Sequence, residues 1–203
     1  GIDRERMQRD YPNALAYLES FEKELRARAA YKRYFAGRKG DPSEDPPFWS
    51  MFNVGQYTLA PHKVIWKDIA ADFAAAVPAS TDPLPLPTHT VMLIATESED
   101  EAHYICGLLN SSTARALISS YVATHISTHT PQVVRVPAYD PMSRTHAEVA
   151  AASRACHEAV ASGCTPDERR VDVAAGAVWG LTADQVLATR RFLDQLFKRD
   201  LAA

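Results

Sequence analysis

The stretch from residue 123 to 132, "ATHISTHTPQ", concentrates short side chains that donate or accept hydrogen bonds. In an extended strand, His125, Ser127 and His129 would share one face, with Thr124, Thr128 and Thr130 on the other. His125 and His129 also have the i, i+4 spacing of two metal ligands on a helix. The β-branched run and a following proline disfavour a helix, however, and no third ligand is evident. We therefore predict a polar recognition or loop segment and no metal site.

A second group of candidates lies in "PFWSMFNVGQYTLAPHKVIW", residues 47–66, and just beyond it. Asn and Gln pair bidentately with adenine, and Arg or Lys with guanine. The side chains placed to read bases here are Asn53, Gln56 and Tyr57. Lys63 and Lys67 flank Trp66 at the end of an expected strand, where one lysine could reach a phosphate. The alternatives are turn formation at the Asn and an ordinary solvated strand face.

A basic run extends from Ser20 to Lys39, with seven basic residues and only two acidic ones. Contacts to phosphates supply affinity for nucleic acid and fix the register of a reader. The candidate phosphate ligands in this run are Arg26, Arg28, Lys32 and Arg33. The net charge of −3 argues weakly against such a partner, although acid is concentrated elsewhere, at residues 97–101. A solvated helix face is the alternative interpretation of the run.

Asp45-Pro46-Pro47-Phe48 resembles the catalytic tetrapeptide of methyltransferases that modify the exocyclic amino group of adenine. In those enzymes the acidic or amide side chain accepts hydrogen bonds from the amino group, and the aromatic ring stacks on the flipped base. They also need an apolar strand before the tetrapeptide and a Gly-rich turn for S-adenosylmethionine. Here "GRKGDPSE" precedes the motif, and the eight glycines include no G-x-G arrangement. We therefore predict no catalytic residue, and interpret the tetrapeptide as a coincidence in a proline-broken loop.

The sequence patterns in the two halves of the chain indicate different secondary-structure elements. In the first half, Asp10-Tyr11-Pro12 begins a long helix that ends at Gly37 and Gly40. Strand-forming residues predict two short strands around Pro61, followed by an extended proline-rich connection.

In the second half, residues 89–96 predict a buried strand, and Ser98 with Glu101 forms a capping box that opens a helix through Leu109. Asn110-Ser111-Ser112 breaks this helix and caps the next one, near Thr113. The remaining expected elements are a strand over 132–137 and helices that begin near Ser143, Thr165 and Thr182.

These elements predict an α+β fold, with a small mixed sheet, flanking helices and a helical C-terminal segment. The predicted parts are an N-terminal helix over 1–40, a mixed core over 41–142 and C-terminal helices over 143–203. The 203 residues are 46% hydrophobic and 23% charged, as is ordinary for a globular protein, and three cysteines without a C-x-x-C pair suit a reducing cytosol. The chain begins with Gly1 rather than Met, so we expect a fragment of a larger protein.

The order of several features resembles the C-terminal target-recognition (specificity) region of adenine-specific DNA methyltransferases, in particular the TaqI-like domain of restriction-modification enzymes. The features are the aromatic loop "PFWSMFNVGQYTLAPHKVIW", the helix with its Leu-Asn-Ser break in "ICGLLNSSTARALISSY", "VVRVPAYDP" and "VWGLTADQV". They span roughly residues 46 to 190.

The resemblance implies a module that binds duplex DNA and reads bases beside an N-terminal methyltransferase domain of the same polypeptide. S-adenosylmethionine is then implied for that catalytic domain and no cofactor for this fragment, which we expect to be non-catalytic and located in a prokaryotic cytoplasm. The alternative function is a protein-interaction module that docks a partner chain through its helices. Convergence of the basic candidates with the 124–130 segment would favour DNA, and dispersed charges beside an exposed apolar helix face would favour a protein partner.

Overall fold

The computed structural model describes residues 2–37, 45–70, 72–88, 90–121, 126 and 130–196. The chain divides into two compact units, Gly1–Gly55 and Gln56–Ala203. This boundary differs from the predicted parts, but it does not test whether any of them folds alone, so the three-part division stays a prediction.

The described residues of the first unit form four short helices between Arg4 and Tyr34, where one long helix was expected. The helical path is interrupted at Phe21 and at Arg28, whose ψ angles of 17° and 135° leave the helical region. Met7, Leu15 and Tyr31 bury their side chains, each on a different helix. The helices are α1 (Arg4–Asp10), α2 (Pro12–Glu19), α3 (Glu22–Ala27) and α4 (Ala29–Tyr34). Pro12 occupies the first position of α2, as the expected helix start requires.

The second unit contains the sheet and the longer helices. Its strands are β1 (His62–Lys67), β2 (Ala75–Ala76) and β3 (Val91–Thr96). Its α-helices are α5 (Glu99–Asn110), α6 (Ser112–Tyr121), α7 (Arg144–Ala161), α8 (Glu168–Val178) and α9 (Ala183–Leu196). Two 3-10 helices, Gln56–Leu59 and Thr130–Val133, complete the described elements.

The sheet has the order β2-β1-β3, with β1 in the centre. Both pairings are antiparallel, in the register Trp66↔Ala75 on one side and Trp66↔Met92 on the other. The expected mixed sheet is therefore wrong in this detail. Only a short loop joins β1 to β2, and parallel neighbours would need a crossover of about a dozen residues or more.

Two expected strands are absent from the described residues. Before Pro61 the chain forms the 3-10 helix Gln56–Leu59, so β1 is the only strand there. Of the expected strand over 132–137, the first two residues belong to the 3-10 helix and the rest is irregular. The carbonyls of this segment accept hydrogen bonds from aromatic side chains rather than from the backbone of a neighbouring strand. The indole N–H of Trp179 donates to Arg135 O, and the hydroxyl of Tyr104 donates to Pro137 O.

α5 lies at the centre of the second unit because it is apolar on two faces. Cys106 and Leu109 pack with Val64 and Trp66 of the sheet. Tyr104 and Leu108 on the other side pack with residues of α7 and α8. Gly107 permits the close approach of α7, because a Cβ there would lie 2.8 Å from Val149 Cγ1.

The caps of the larger helices follow their sequence signals. The backbone N–H of Glu101 donates to Ser98 Oγ, as the capping box predicts. Ser143 caps α7 through its hydroxyl, whereas α8 is capped by Asp167 rather than by Thr165. With its helices and one small sheet the molecule has the expected α+β class. Among the helices of the described ranges, none combines the length and apolarity needed to cross a membrane.

Candidate nucleic-acid interface

Ile126, which belongs to the polar 123–132 stretch of the sequence, lies at one end of the sheet. The backbone N–H of Ile126 donates to Asp68 O at 2.6 Å, and its carbonyl accepts the indole N–H of Trp66 at 3.0 Å. The side chain of Ile126 is buried in the core beneath the sheet. Backbone and side-chain contacts therefore both hold this point of the chain beside the end of β1.

Lys67 is the last residue of β1 and lies between the two residues that bind Ile126. It pairs with Val91 in the ladder, and its side chain is exposed. A charged ammonium exposed at this end of the sheet can bind a phosphate. Lys67 therefore stays a candidate for a phosphate contact.

Lys63, the other predicted phosphate ligand of β1, is buried, with 1% of its surface exposed. Its ammonium donates to Thr58 O at 2.9 Å and to Pro85 O at 3.3 Å. Burial lowers the pKa of the Lys63 amine below its ordinary value. These contacts are at odds with the predicted phosphate contact, because Lys63 joins the 3-10 helix Gln56–Leu59 and the proline-rich connection to β1.

Gln56 and Tyr57 are exposed on that 3-10 helix. The helix is a single turn, and the bond from the Lys63 ammonium to the Thr58 carbonyl holds it against β1. Side chains on a short segment fixed to a strand are suited to base contacts, because the scaffold limits their positions. Both residues keep their predicted role as candidates. Asn53, in the first unit, is exposed and has a φ of 58°. Its left-handed backbone agrees with the alternative of turn formation.

Two of the four basic candidates of the first unit bind groups within that unit. Arg28 donates to the carbonyls of Leu25, Phe48 and Ser50, at 2.8, 2.6 and 3.0 Å. Arg26 donates to Glu22 at 2.7 Å. The contacts of Arg28 explain its half-buried state and are at odds with a phosphate-binding role.

Lys32 and Arg33 remain exposed on α4. The guanidinium carbon of Arg33 lies 5.3 Å from the centre of the Tyr34 ring. Tyr34 in turn stacks on Phe52, with ring centres 3.7 Å apart and planes 7° from parallel. An aromatic pair with an exposed Phe52 ring therefore lies beside the Arg33 guanidinium.

The Asp45–Phe48 tetrapeptide has a structural role. The Asp45 carboxylate accepts the backbone N–H of Gly37 at 2.8 Å, and the Tyr31 hydroxyl donates to Pro46 O. Phe48 is 2% exposed and packs under the Arg26 guanidinium. A ring so buried has no open face for a base, in agreement with the interpretation of the motif as a coincidence.

The helix break, Leu109–Ser112, is also structural. The Asn110 amide accepts the Ala75 N–H and donates to the Ala75 carbonyl, both at 2.8 Å, so it pairs with β2 as a neighbouring strand would. The Ser111 hydroxyl accepts the Ala114 N–H, which confirms the predicted cap. The N–H of Ser112 donates to the buried carboxylate of Asp172.

The candidates divide between the two units. Asn53 and the four basic candidates Arg26, Arg28, Lys32 and Arg33 belong to the first, whereas Gln56, Tyr57, Lys63, Lys67 and Ile126 belong to the second. Of the polar stretch, Thr124, His125, Ser127, Thr128 and His129 lie outside the described residues. Sequence reasoning did not single out Ile126 and its bond to Trp66 in the second unit, nor the Tyr34–Phe52 pair in the first. The sequence signal for Ile126 was an apolar residue within a polar stretch. The signal for Tyr34 was an aromatic residue next to basic ones.

The chain matches no known family model, no curated protein and no solved structure. The assignment of a function therefore depends on the residues themselves and on the features that resemble specificity domains.

Proposed function

We propose that this chain is a DNA target-recognition (specificity) domain of an adenine-specific DNA methyltransferase or restriction-modification enzyme. In this role it binds duplex DNA and reads bases for a separate catalytic domain. One observation carries the proposal: Ile126, within the polar 123–132 stretch of the sequence, is held by two hydrogen bonds of its backbone at the end of β1 where Lys67 is exposed.

The physical reason is that a reader needs side chains with many hydrogen-bonding groups on a segment whose position is limited. Loops that carry function are held in this way by a rigid scaffold. The core around Trp66 is such a scaffold, and Ile126 is fixed to it at two backbone atoms. Lys67 supplies a phosphate contact at the same end of the sheet, and Gln56 with Tyr57 supplies further base contacts. Each good bidentate base contact discriminates by about 1–3 kcal/mol.

The proposed affinity is modest because few cations are available. With Arg28 and Lys63 bound to carbonyls, the exposed candidates that bind no acidic residue within the described part of the chain are Lys32, Arg33 and Lys67. Contact of all three with phosphates gives a slope of log K against log salt of about −2.7. We expect micromolar or weaker binding, lost as the salt concentration rises.

Catalysis belongs to the proposed partner domain of the same polypeptide, in a prokaryotic cytoplasm. The proposal assigns S-adenosylmethionine to that partner domain and no cofactor to this chain. No G-x-G turn occurs in the sequence, and Phe48 of the tetrapeptide is buried. In the proposal the chain therefore contributes positioning and base discrimination, and no chemical step.

The test is selection from a pool of random-sequence duplexes at low salt, followed by sequencing of the bound fraction. We expect a short motif to be enriched by the wild-type chain. Replacement of Ser127 and Thr128 by Ala should weaken or shift that motif, because short donors and acceptors are removed. Replacement of Ser80 and Thr81 by Ala is the matched control and should leave it unchanged. Binding with no motif would contradict base reading by this chain alone.

One observation favours the alternative, a protein-interaction module. α8 and α9 form a groove in which Val173 is 66% exposed and Leu187 is 44% exposed. Apolar side chains exposed beside one another mark sites of protein contact. Absence of DNA binding at low salt would favour this function. Val173→Ser with Leu187→Ser should then reduce binding of the partner chain.

A further inference from the structure

The Tyr34–Phe52 pair has the geometry of a stacking platform. The two rings are nearly parallel, with centres 3.7 Å apart. Phe52 is 48% exposed, so Tyr34 covers one face of its ring and much of the rest is open to solvent. Open aromatic faces held parallel to a second ring are the surfaces on which nucleic-acid bases stack.

Charge beside the rings favours a nucleotide over a plain apolar ligand. The Arg33 guanidinium lies 5.3 Å from the centre of the Tyr34 ring, and Lys32 precedes it on the exposed side of α4. A base that stacks on Phe52 brings its own phosphates to the protein. Lys32 and Arg33, which precede Tyr34 on α4, are the basic residues of that helix. Single-strand binders combine these two elements, a stacking ring and a basic groove.

The backbone after Phe52 limits how this ring is presented. Asn53 has a φ of 58°, a left-handed conformation that few residues other than Gly, Asn and Asp adopt readily. The chain therefore turns directly after Phe52. Met51 and Val54 on either side are exposed as well, and their apolar side chains would border a stacked base.

A second exposed pair in the same unit provides an internal comparison. Tyr17 and Phe21 have ring centres 5.1 Å apart, with planes tilted by 58°. Phe21 is 44% exposed, close to the value for Phe52. Among the described residues no guanidinium lies over either ring. Phe21 thus matches Phe52 in exposure but lacks the parallel stack and the cation.

We propose that Phe52, stacked on Tyr34, whose ring also contacts the Arg33 guanidinium, binds an unpaired nucleobase of DNA. This inference deepens the proposed function, on which it rests, by adding a site for a base that has left the duplex stack. The same chemistry suits a base in a single strand and a base extruded from a distorted duplex.

The experiment uses 2-aminopurine, whose fluorescence falls when it stacks. One probe is an oligothymidylate of about eight nucleotides with a central 2-aminopurine, within the size that single-strand sites cover. The other is a duplex with a single extrahelical 2-aminopurine, whose fluorescence is high before it stacks on the protein. Quenching of the first alone assigns the site to single strands, and quenching of the second assigns it to extruded bases.

The variants separate stacking from folding. Phe52→Leu should abolish quenching and weaken binding of the responsive probe about tenfold, as expected for loss of one stacked base. Phe52→Trp should restore both, and Phe21→Leu should behave as the wild-type chain does. Arg33→Gln should preserve quenching while it lowers the salt slope by about 0.7 for the single strand. Equal quenching by Phe52→Leu and the wild type would overturn the proposal.

A parallel measurement of random-duplex binding by anisotropy separates this proposal from the proposed function. Duplex binding without quenching of either probe contradicts the platform and leaves duplex recognition standing. Quenching without duplex binding supports the platform and contradicts duplex recognition. Absence of both responses at low salt contradicts both.

Discussion

The helix break, Leu109–Ser112, and the loop Met51–Val54 both attract attention in the sequence, yet their side chains are used in opposite ways. In the helix break, the side chains of Asn110 and Ser111 and the backbone N–H of Ser112 bind groups within the protein. In the loop, Met51, Phe52 and Val54 expose large apolar side chains. The residues of the helix break therefore stabilise the fold, whereas the side chains of the loop are exposed and can contact a ligand.

This difference shows why a specific-looking motif need not be a binding site. Leu-Asn-Ser is a distinctive part of the resemblance to specificity domains, but Asn110 acts as a substitute strand for the edge of β2. An unpaired strand edge invites contact with other chains, and the amide covers it. The motif is informative about the fold, and only through the fold about function.

The largest expected effect would follow loss of the Asn110 amide. Asn110→Ala removes both bonds to Ala75 and leaves groups of a buried residue without partners, so the free energy of unfolding should fall by about 2–4 kcal/mol. Urea unfolding measures this change. Asn13→Ala, on the exposed surface of α2, is the control and should change stability by less than about 0.5 kcal/mol. An equally small effect of Asn110→Ala would contradict the stabilising role assigned to the helix break.

Acid should weaken the core around the helix break and spare the loop. Burial lowers the pKa of His103 on α5 to about 4, and the nearby charges of His157 and Arg154 act in the same direction. The unfolded state has a pKa of about 6.5 and binds the proton first as pH falls, so stability is complete above that pH and declines towards pH 4. The free energy of unfolding should be about 2–3 kcal/mol lower at pH 4.5 than at pH 7.

His103→Gln is the matched variant for this prediction, since Gln keeps a polar group near Ser153 Oγ, which lies 3.3 Å from His103 Nδ1. The decline between pH 7 and pH 4.5 should shrink by most of that amount in the variant. An unchanged pH profile would show that other groups cause the decline.

The sequence predicted features that depend on neighbouring residues and missed those that depend on distant ones. The capping box at Ser98 and the cap at Ser111 involve residues three apart, and both were predictable. Burial of Lys63 depends on the Pro85 carbonyl, 22 residues away. No local pattern distinguishes it from exposed Lys67, because both side chains lie on the same face of β1.

The candidate site follows the same rule. Gln56 and Tyr57 were predictable as polar and aromatic residues near a turn, and the structure exposes both. The bond from Trp66 to Ile126 joins residues 60 positions apart, and no period in the sequence signals it. The mixed sheet was expected because short strands do not reveal their partners, whereas the short connection after β1 fixes the antiparallel pairing.

A smaller effect should follow loss of the Trp66 indole N–H. Trp66→Phe keeps an aromatic ring in the core but removes the bond to the Ile126 carbonyl, so stability should fall by about 1–2 kcal/mol. Selection from random duplexes should give a weaker motif, because the polar stretch loses one of its attachments. Trp49→Phe is the control: its indole donates to Ile2 O, in the first unit, and the motif should be unchanged. The same loss of motif in both variants would indicate a general loss of folding.

The most direct test of the account is the salt dependence of duplex binding by Lys67→Gln and Lys63→Met. Lys67 is exposed at the end of β1, and Lys63 is buried against two carbonyls four residues earlier. The account predicts that Lys67→Gln lowers the slope of log K against log salt by about 0.9, the contribution of one phosphate. Lys63→Met should keep the wild-type slope and weaken the selected motif, because Lys63 holds the segment that carries Gln56 and Tyr57. An equal fall in slope for both variants, or no fall for Lys67→Gln, would contradict it.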